Sequence, residues 1–279
     1  MIILEFITEA VKFLVYCLAI VLISKYVLVG TIRKLATHLK LNSKTVGGIA
    51  GYATSVPELL TVAASSINGL IGASMYNILS SNIINFLQYM ASVIINKNQK
   101  TLKNQAVKVD ILLVLATILI PIVFIQLDLD LNFTTVVIFI LLYVLFRYID
   151  GNAHKLYIEK RIESEGTKKE AKKWGKSIKY ILLLIVSSIL LFVIGNLLGE
   201  TLENLCYRFN TPEIIIGILL GIITSLPELI TFIEAQTHHK DSDNEEAGVI
   251  EATNNLFTSN ILNLFIIQSV GVLIYIIFA

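Results

Sequence analysis

Charge is what this 279-residue chain has least of. Only 15% of its residues are charged, against 55% hydrophobic, where a soluble domain carries about 25% charged residues. That shortage, with several apolar stretches near the ~20 residues a helix needs to cross a bilayer, argues against one large soluble core. Cysteine is scarce too. Cys17 and Cys206 have neither metal-ligand nor redox spacing, so both are read as fillers of apolar space. The four histidines form no zinc pattern, and His238 and His239 sit together in a polar stretch read as solvent-exposed. There is no Gly-rich phosphate loop and no nucleophile cluster, so no enzyme chemistry is expected. The basic residues follow the apolar segments instead of forming one patch, so no nucleic-acid partner is expected either. The first apolar segment lacks a basic leader and a small-residue cleavage site and is read as a retained helix.

Hydropathy divides the chain into about eight spans. They lie near Phe6–Val29, Val46–Ile67, Leu70–Ile95, Val109–Gln126, Phe133–Phe146, Ile178–Leu198, Pro212–Gln236 and Asn254–Phe278. The fifth is short for a full crossing. Loops after spans one, three and five hold most of the lysines and arginines, including Arg33, Lys40, Lys44, Lys97, Lys100, Lys103 and Lys155. The loops between them hold Asp128, Asp130, Glu200 and Glu203. The positive-inside rule then puts the lysine-rich loops in the cytoplasm and both ends of an eight-span chain outside, in a multi-pass protein of the cell membrane. The link after span five mixes lysines with Glu159, Glu163, Glu165 and Glu170 and reads as a solvated connector. It divides the chain into residues 1–147 (about five spans), a charged linker 148–177, and residues 178–279 (about three spans).

Proline is scarce as well, and its placement is informative. Two of the four prolines, Pro57 and Pro227, occupy matching positions in GYATSVPELLT (Gly51 to Thr61) and GIITSLPELIT (Gly221 to Thr231). Each sits beside a glutamate, Glu58 or Glu228, inside an apolar span. A proline removes one backbone donor and disturbs the turn before it, which is expected to free a carbonyl near Gly51 or Ala53. Thr54 and Ser55, like Thr224 and Ser225, lie three or four residues before their glutamate and share its helix face. A second polar pattern follows each first one: NILSSNIIN (Asn77 to Asn85) and NLFTSNILN (Asn255 to Asn263). Ser81 and Asn85, like Ser259 and Asn263, are four apart on one face, and Asn77 and Asn255 extend it. Asn82 and Asn260 point elsewhere and are expected to brace helices. An isolated glutamate is costly in lipid. Two glutamates in duplicated Thr, Ser and Asn settings are what a membrane cation site needs, and these oxygen ligands suit Ca²⁺ and Na⁺ over a soft metal. Five spans per repeat is odd, so the second copy enters the membrane from the opposite side, as an inverted repeat able to serve one site from either face.

With ATSVPEL and SSNIIN in one half and ITSLPEL and TSNILN in the other, the chain resembles the sodium/calcium exchanger family of the cation/calcium antiporter superfamily. The resemblance implies an all-α polytopic fold of ten helices working by alternating access, here with about eight and without the final two. It implies Glu58 and Glu228 as the central Ca²⁺ carboxylates. Thr54, Ser55, Ser81 and Asn85 would serve with them from one half, and Thr224, Ser225, Ser259 and Asn263 from the other. Spans one and six would form the sliding gate. No tightly bound cofactor is implied; Ca²⁺ and Na⁺, or H⁺, are transported ions, and the partners are the lipid bilayer and those cations. A partner chain supplying two helices would complete the family's ten.

The chain also departs from the family pattern. Ala53 and Ile223 stand where relatives often have glycine, as do Ser80 and Thr258. Asn85 and Asn263 are both neutral where prokaryotic relatives often have one aspartate. The expectation is a secondary active antiporter exchanging Ca²⁺ against Na⁺. A carboxylate taken out of water resists ionisation, which keeps Ca²⁺/H⁺ exchange open, and a cation channel or a transport-inactive, partner-dependent subunit are the other readings. The stretch 237–255, THHKDSDNEEAGVIEATNN, is read as a long polar loop.

Overall fold

The computed structural model describes residues 2–23, 26–27, 30–31, 43–157, 174–240 and 245–278. Among these residues the regular structure is helical. In chain order the helices are α1 (Ile2–Ile23), α2 (Ser43–Thr54), α3 (Val56–Ile67), α4 (Ile71–Ile95), α5 (Gln105–Gln126), α6 (Phe133–Tyr157), α7 (Trp174–Glu203), α8 (Glu213–Thr224), α9 (Leu226–Lys240), α10 (Glu245–Ile261) and α11 (Gln268–Phe278). Seven stretches are long and apolar enough to cross a membrane. The expected second span makes an eighth, carried by two helices of 12 residues each, α2 and α3.

The two proline motifs produce the same local break. Ser55 separates α2 from α3 with φ −80° and ψ 0°, and Ser225 separates α8 from α9 with φ −78° and ψ −3°. Proline cannot donate to the turn before it and its ring crowds the carbonyl four residues back, so each helix stops and restarts there. Glu58 and Glu228 therefore lie in the first turns of α3 and α9, at helix ends where backbone N–H groups carry partial positive charge. A π-helical stretch, Leu262–Ile267, joins α10 to α11 and contains Asn263. Asn85 sits in unbroken α-helix. Such π turns rotate the side chains that follow and are frequent at functional sites.

The halves are interleaved. Gly47 and Gly51 of α2 lie against α10, while Gly217 and Gly221 of α8 lie against α4. A Cβ on Gly51 would come within 2.8 Å of the Asn255 carbonyl oxygen. One on Gly221 would come within 2.7 Å of the Asn77 carbonyl oxygen and would collide with Ser80 Oγ. Small residues spaced by four let helix backbones approach without the driving force of water exclusion. Each glutamate-bearing segment is thus pressed against the polar helix of the opposite half.

Two apolar clusters surround this centre. Tyr89, Val114, Phe139, Phe146, Phe232, Phe257 and Phe265 form one, on α4, α5, α6 and the second-half helices. Phe13, Cys17 and Ile20 of α1 form the other with Leu191, Leu198 and Leu202 of α7 and Ala64 of α3. Both cysteines are free and belong to this second cluster.

Three sequence expectations are corrected. Span five is not short: its helix continues to Tyr157, and its membrane-crossing stretch covers Phe133–Lys155. Polar residues that end the hydropathy signal are held inside the fold. Arg147 stacks over the Tyr52 and Phe257 rings, and Asp150 and His154 are buried. The stretch 237–255 is not a long loop. Thr237–Lys240 continue α9, and α10 begins at Glu245. Its polar residues Glu251, Asn254 and Asn255 are buried, which makes a packed helix look like a solvated one in sequence. Of the two positions named for a freed carbonyl, Gly51 is ruled out and Ala53, four residues before Pro57, is left: the Gly51 oxygen accepts from the Ser55 amide at 3.2 Å and from the hydroxyls of Ser55 and Thr54 at 3.0 and 3.3 Å. The central residues of the charged link, 158–173, lie outside the described residues, as do Arg33 and Lys40.

Candidate functional site

All ten residues singled out as candidate ligands are buried, and hydrogen bonds join all but Thr224 into one network. Ser81 donates to Glu58 Oε1 at 2.7 Å and Ser259 donates to Glu228 Oε1 at 3.1 Å. The two serines are tied across the halves: Ser81 to Ser225 at 3.0 Å, Ser259 to Ser55 at 3.0 Å. A hydroxyl has one proton and two lone pairs. Ser225 and Ser55 also lie within hydrogen-bond distance of the Gly221 and Gly51 carbonyls, at 2.7 and 3.0 Å, so the single proton of each is shared between that carbonyl and the serine of the other half. Asn263 Nδ2 reaches Ser81 Oγ at 3.5 Å, and Asn85 Nδ2 reaches Ser259 Oγ at 3.5 Å. Each of these serine, glutamate and asparagine contacts in one half has its counterpart in the other.

The outer parts of the network repeat as well. Asn85 donates to Asn260 Oδ1 at 3.2 Å and Asn263 to Asn82 Oδ1 at 3.3 Å. Asn82 and Asn260 each donate to the other's backbone carbonyl, at 3.2 and 3.1 Å, and so brace α4 against α10. Asn77 donates to Thr61 Oγ1 at 2.7 Å and Asn255 to Thr231 Oγ1 at 2.6 Å. Thr61 and Thr231 were not singled out from the sequence, although both close their duplicated motif. Thr224 stands against the Glu58 carboxylate and Thr54 against that of Glu228. The two glutamates are close enough to interact electrostatically.

What remains unsatisfied defines the chemistry. Oε2 of Glu58 and of Glu228, Oδ1 of Asn77, Asn85, Asn255 and Asn263, and Oγ1 of Thr224 are buried without a hydrogen-bond partner. Buried polar atoms are nearly always paired, and an isolated buried carboxylate is costly. The amide nitrogens are engaged with protein groups, which leaves the amide oxygens free. Buried carboxylate and amide oxygens left without a protein partner are the donor set of a hard cation.

A model of the sodium/calcium exchanger protein family matches residues 9–150 and 179–278. The chain belongs to the sodium/calcium exchanger family. Two solved structures of the sodium-calcium exchanger NCX_Mj, one soaked with 100 mM Na⁺ and 10 mM Sr²⁺ and one with 10 mM Na⁺ and no Ca²⁺, resemble it with TM-scores of 0.53. They are 20% and 21% identical to it, and each match covers 96% of this chain and 83% of the other. At that identity the likeness is one of fold. Comparison with curated proteins finds no match. The family is one of membrane transporters that exchange cations, so this exchanger's duplicated polar centre sits in a multi-pass membrane fold, with lipid and transported ions as its surroundings.

Proposed function

We propose that this exchanger moves Ca²⁺ against Na⁺ by alternating access, with Glu58 and Glu228 as the charged ligands. Thr54, Ser55, Ser81, Asn85, Thr224, Ser225, Ser259 and Asn263 complete the ion shell or orient it. The observation that carries this reading is the pair of buried glutamates, each with one oxygen held by a serine and the other left without a partner. One Ca²⁺ would balance two carboxylates, as would two Na⁺ or two protons. Asn85 and Asn263 add no charge, so we infer exchange nearer two monovalent ions per Ca²⁺ than three. The abundance of neutral hydroxyl and amide oxygens favours Na⁺ over H⁺ as the coupling ion.

The repeats are assigned to residues 1–147 and 178–279 around the linker 148–177. Spans one and six, carried by α1 and α7, form the sliding pair, because they pack on the core through apolar contacts such as Phe13, Ile20, Leu191 and Leu198. Such contacts hold no position as strictly as a hydrogen-bond network. The lysine-rich loops are placed in the cytoplasm and the N-terminus outside.

Ca²⁺ flux in proteoliposomes tests the reading, with an outward Na⁺ gradient compared against an outward proton gradient. Uptake driven by Na⁺ and abolished in both Glu58→Gln and Glu228→Gln is the expected result. Uptake driven only by protons would make the protein a Ca²⁺/H⁺ antiporter. No Ca²⁺ flux under either gradient from well-folded protein would reject Ca²⁺ exchange by the chain alone, leaving a partner-dependent or inactive subunit.

A further inference from the structure

A second group of ionisable side chains converges away from the central site, at the end of the spans that carries the lysine-rich loops. Asp110 lies in the second turn of α5, and Asp150 and His154 lie one turn apart near the end of α6. His154 Nε2 is 2.9 Å from Asp110 Oδ2 and 3.2 Å from Asp150 Oδ1. All three residues are buried, and one ligand atom from each falls within 4.8 Å of the others. Lys44, from the start of α2, reaches both oxygens of Asp150 at 3.3 Å. No hydrogen bond or ion pair joins it to Asp110 among the described contacts.

A plain ion-pair cluster would leave no loose ends, and this one does. Asp110 is fully buried, yet its Oδ1 has no partner, and its Oδ2 relies on an imidazole proton shared with Asp150. His154 Nδ1 also lacks a partner, so the ring is held through Nε2 alone and Nδ1 can take the proton that Nε2 shares with the two carboxylates. With that proton on Nδ1, Nε2 presents a lone pair to the two carboxylates. Ligand atoms around an ion with bonds of ~2.1 Å stand about 3 to 3.5 Å apart, and the two contacts of His154 Nε2, at 2.9 and 3.2 Å, fall near that spacing.

We propose that Asp110, Asp150 and His154 form a divalent transition-metal site, separate from the transport centre, that takes an ion of the Zn²⁺ or Mn²⁺ class. The imidazole decides the class, since Ca²⁺ and Mg²⁺ take oxygen ligands while imidazole suits the first-row transition ions. Binding puts a metal bond where the Nε2 proton was: from a neutral ring that proton passes through water to Nδ1, and from a ring protonated on both nitrogens it leaves to water. The ion would join α5 to α6 and compete with Lys44 for Asp150.

The test uses the full-length protein in detergent, stripped with chelator, in a Glu58→Gln/Glu228→Gln background that disables the central carboxylates. Mn²⁺ titration followed by electron paramagnetic resonance should show about one saturable equivalent, with nitrogen coupling from one imidazole in the pulsed spectrum. Zn²⁺ should raise the thermal midpoint of the same protein. His154→Gln should remove the nitrogen coupling and reduce Mn²⁺ affinity at least about tenfold, and Asp110→Asn should reduce it similarly. The nitrogen signal needs no substitution in the cluster, so the result does not depend on how those variants fold. Absence of saturable Mn²⁺ binding, or a bound Mn²⁺ with oxygen ligands alone, would overturn the proposal.

Discussion

Ser225 and Ser81 are hydrogen-bonded across the two halves at 3.0 Å, and Ser81 in turn donates to Glu58 at 2.7 Å. Each carboxylate is therefore oriented by a serine of its own half, which is oriented by a serine of the other. The relay gives the two substitutions different weights. Ser81→Ala removes a hydrogen bond to a charged group, about 1.5–3 kcal/mol, while Ser225→Ala removes one between neutral hydroxyls, about 0.5–1.5 kcal/mol. The apparent KM for the transported cation should rise roughly tenfold or more in Ser81→Ala and by less in Ser225→Ala. A larger effect at Ser225 would mean that it contacts the ion directly and that the relay is secondary.

Glu58 and Glu228 carry the only acidic side chains in the duplicated motifs, and each presents an unpartnered buried oxygen. Replacing either by glutamine keeps the shape and removes the charge. Truncating one member of a buried charge pair costs about 2–5 kcal/mol, or roughly 30-fold or more in affinity. Proteoliposome Ca²⁺ uptake should fall by at least that factor in each single variant. Retention of more than about half the flux in either one would remove that glutamate from the ion site.

Much of this centre is visible in the sequence because the duplication repeats chemistry as well as hydropathy. Pro57 and Pro227 announce the helix breaks, and the four-residue spacing of Ser81 with Asn85, and of Ser259 with Asn263, places them on one face. Other features fail for a common reason, which is that burial in a polar interior leaves no apolar signal. Asp150 and His154 end the hydropathy of span five, yet α6 carries them past that point because α5 and Lys44 supply their partners. Glu251, Asn254 and Asn255 make the start of α10 look like a loop, yet Asn254 donates to the Lys44 carbonyl at 2.5 Å. Asp110 and His154 stand on different helices, and no local spacing could bring them together. Nor does the sequence say that Gly51 packs on the opposite half and not on its own.

That cross-half packing can be weighed by adding a methyl group. A Cβ at Gly221 meets the Asn77 carbonyl oxygen and the Ser81 amide at 2.7 Å each, and one at Gly51 meets the Asn255 carbonyl oxygen at 2.8 Å. These neighbours are backbone and cannot swing aside. Overpacking of this kind costs about 1–3 kcal/mol, so Gly221→Ala and Gly51→Ala should both lower the thermal midpoint in detergent. Gly151 has nothing within 4 Å of its Cβ position. As a helical glycine it should gain roughly 0.5–1 kcal/mol on replacement by alanine, and Gly151→Ala should melt at or above the wild-type temperature. Equal effects at all three glycines would contradict the close approach.

The neutrality of Asn85 and Asn263 leads to an electrical prediction. With two carboxylates the site can return empty of Ca²⁺ carrying two Na⁺, so one cycle moves no net charge. Asn85 already lies against Ser259 at 3.5 Å with its Oδ1 unpartnered, so Asn85→Asp places a third carboxylate in the same network with little change of shape. Three negative charges are balanced by three Na⁺ and leave a Ca²⁺-loaded site short by one, so the two loaded forms then differ in charge. Each elementary charge crossing the membrane is worth about 2.3 kcal/mol per 100 mV, enough to make such an exchanger respond to voltage. Wild-type Na⁺-driven Ca²⁺ flux should therefore be unaffected when K⁺ and valinomycin set the potential, and flux in Asn85→Asp should change severalfold between opposite potentials. A wild type that already responds this way would show that a further charge, not among the duplicated motifs, travels with the ions.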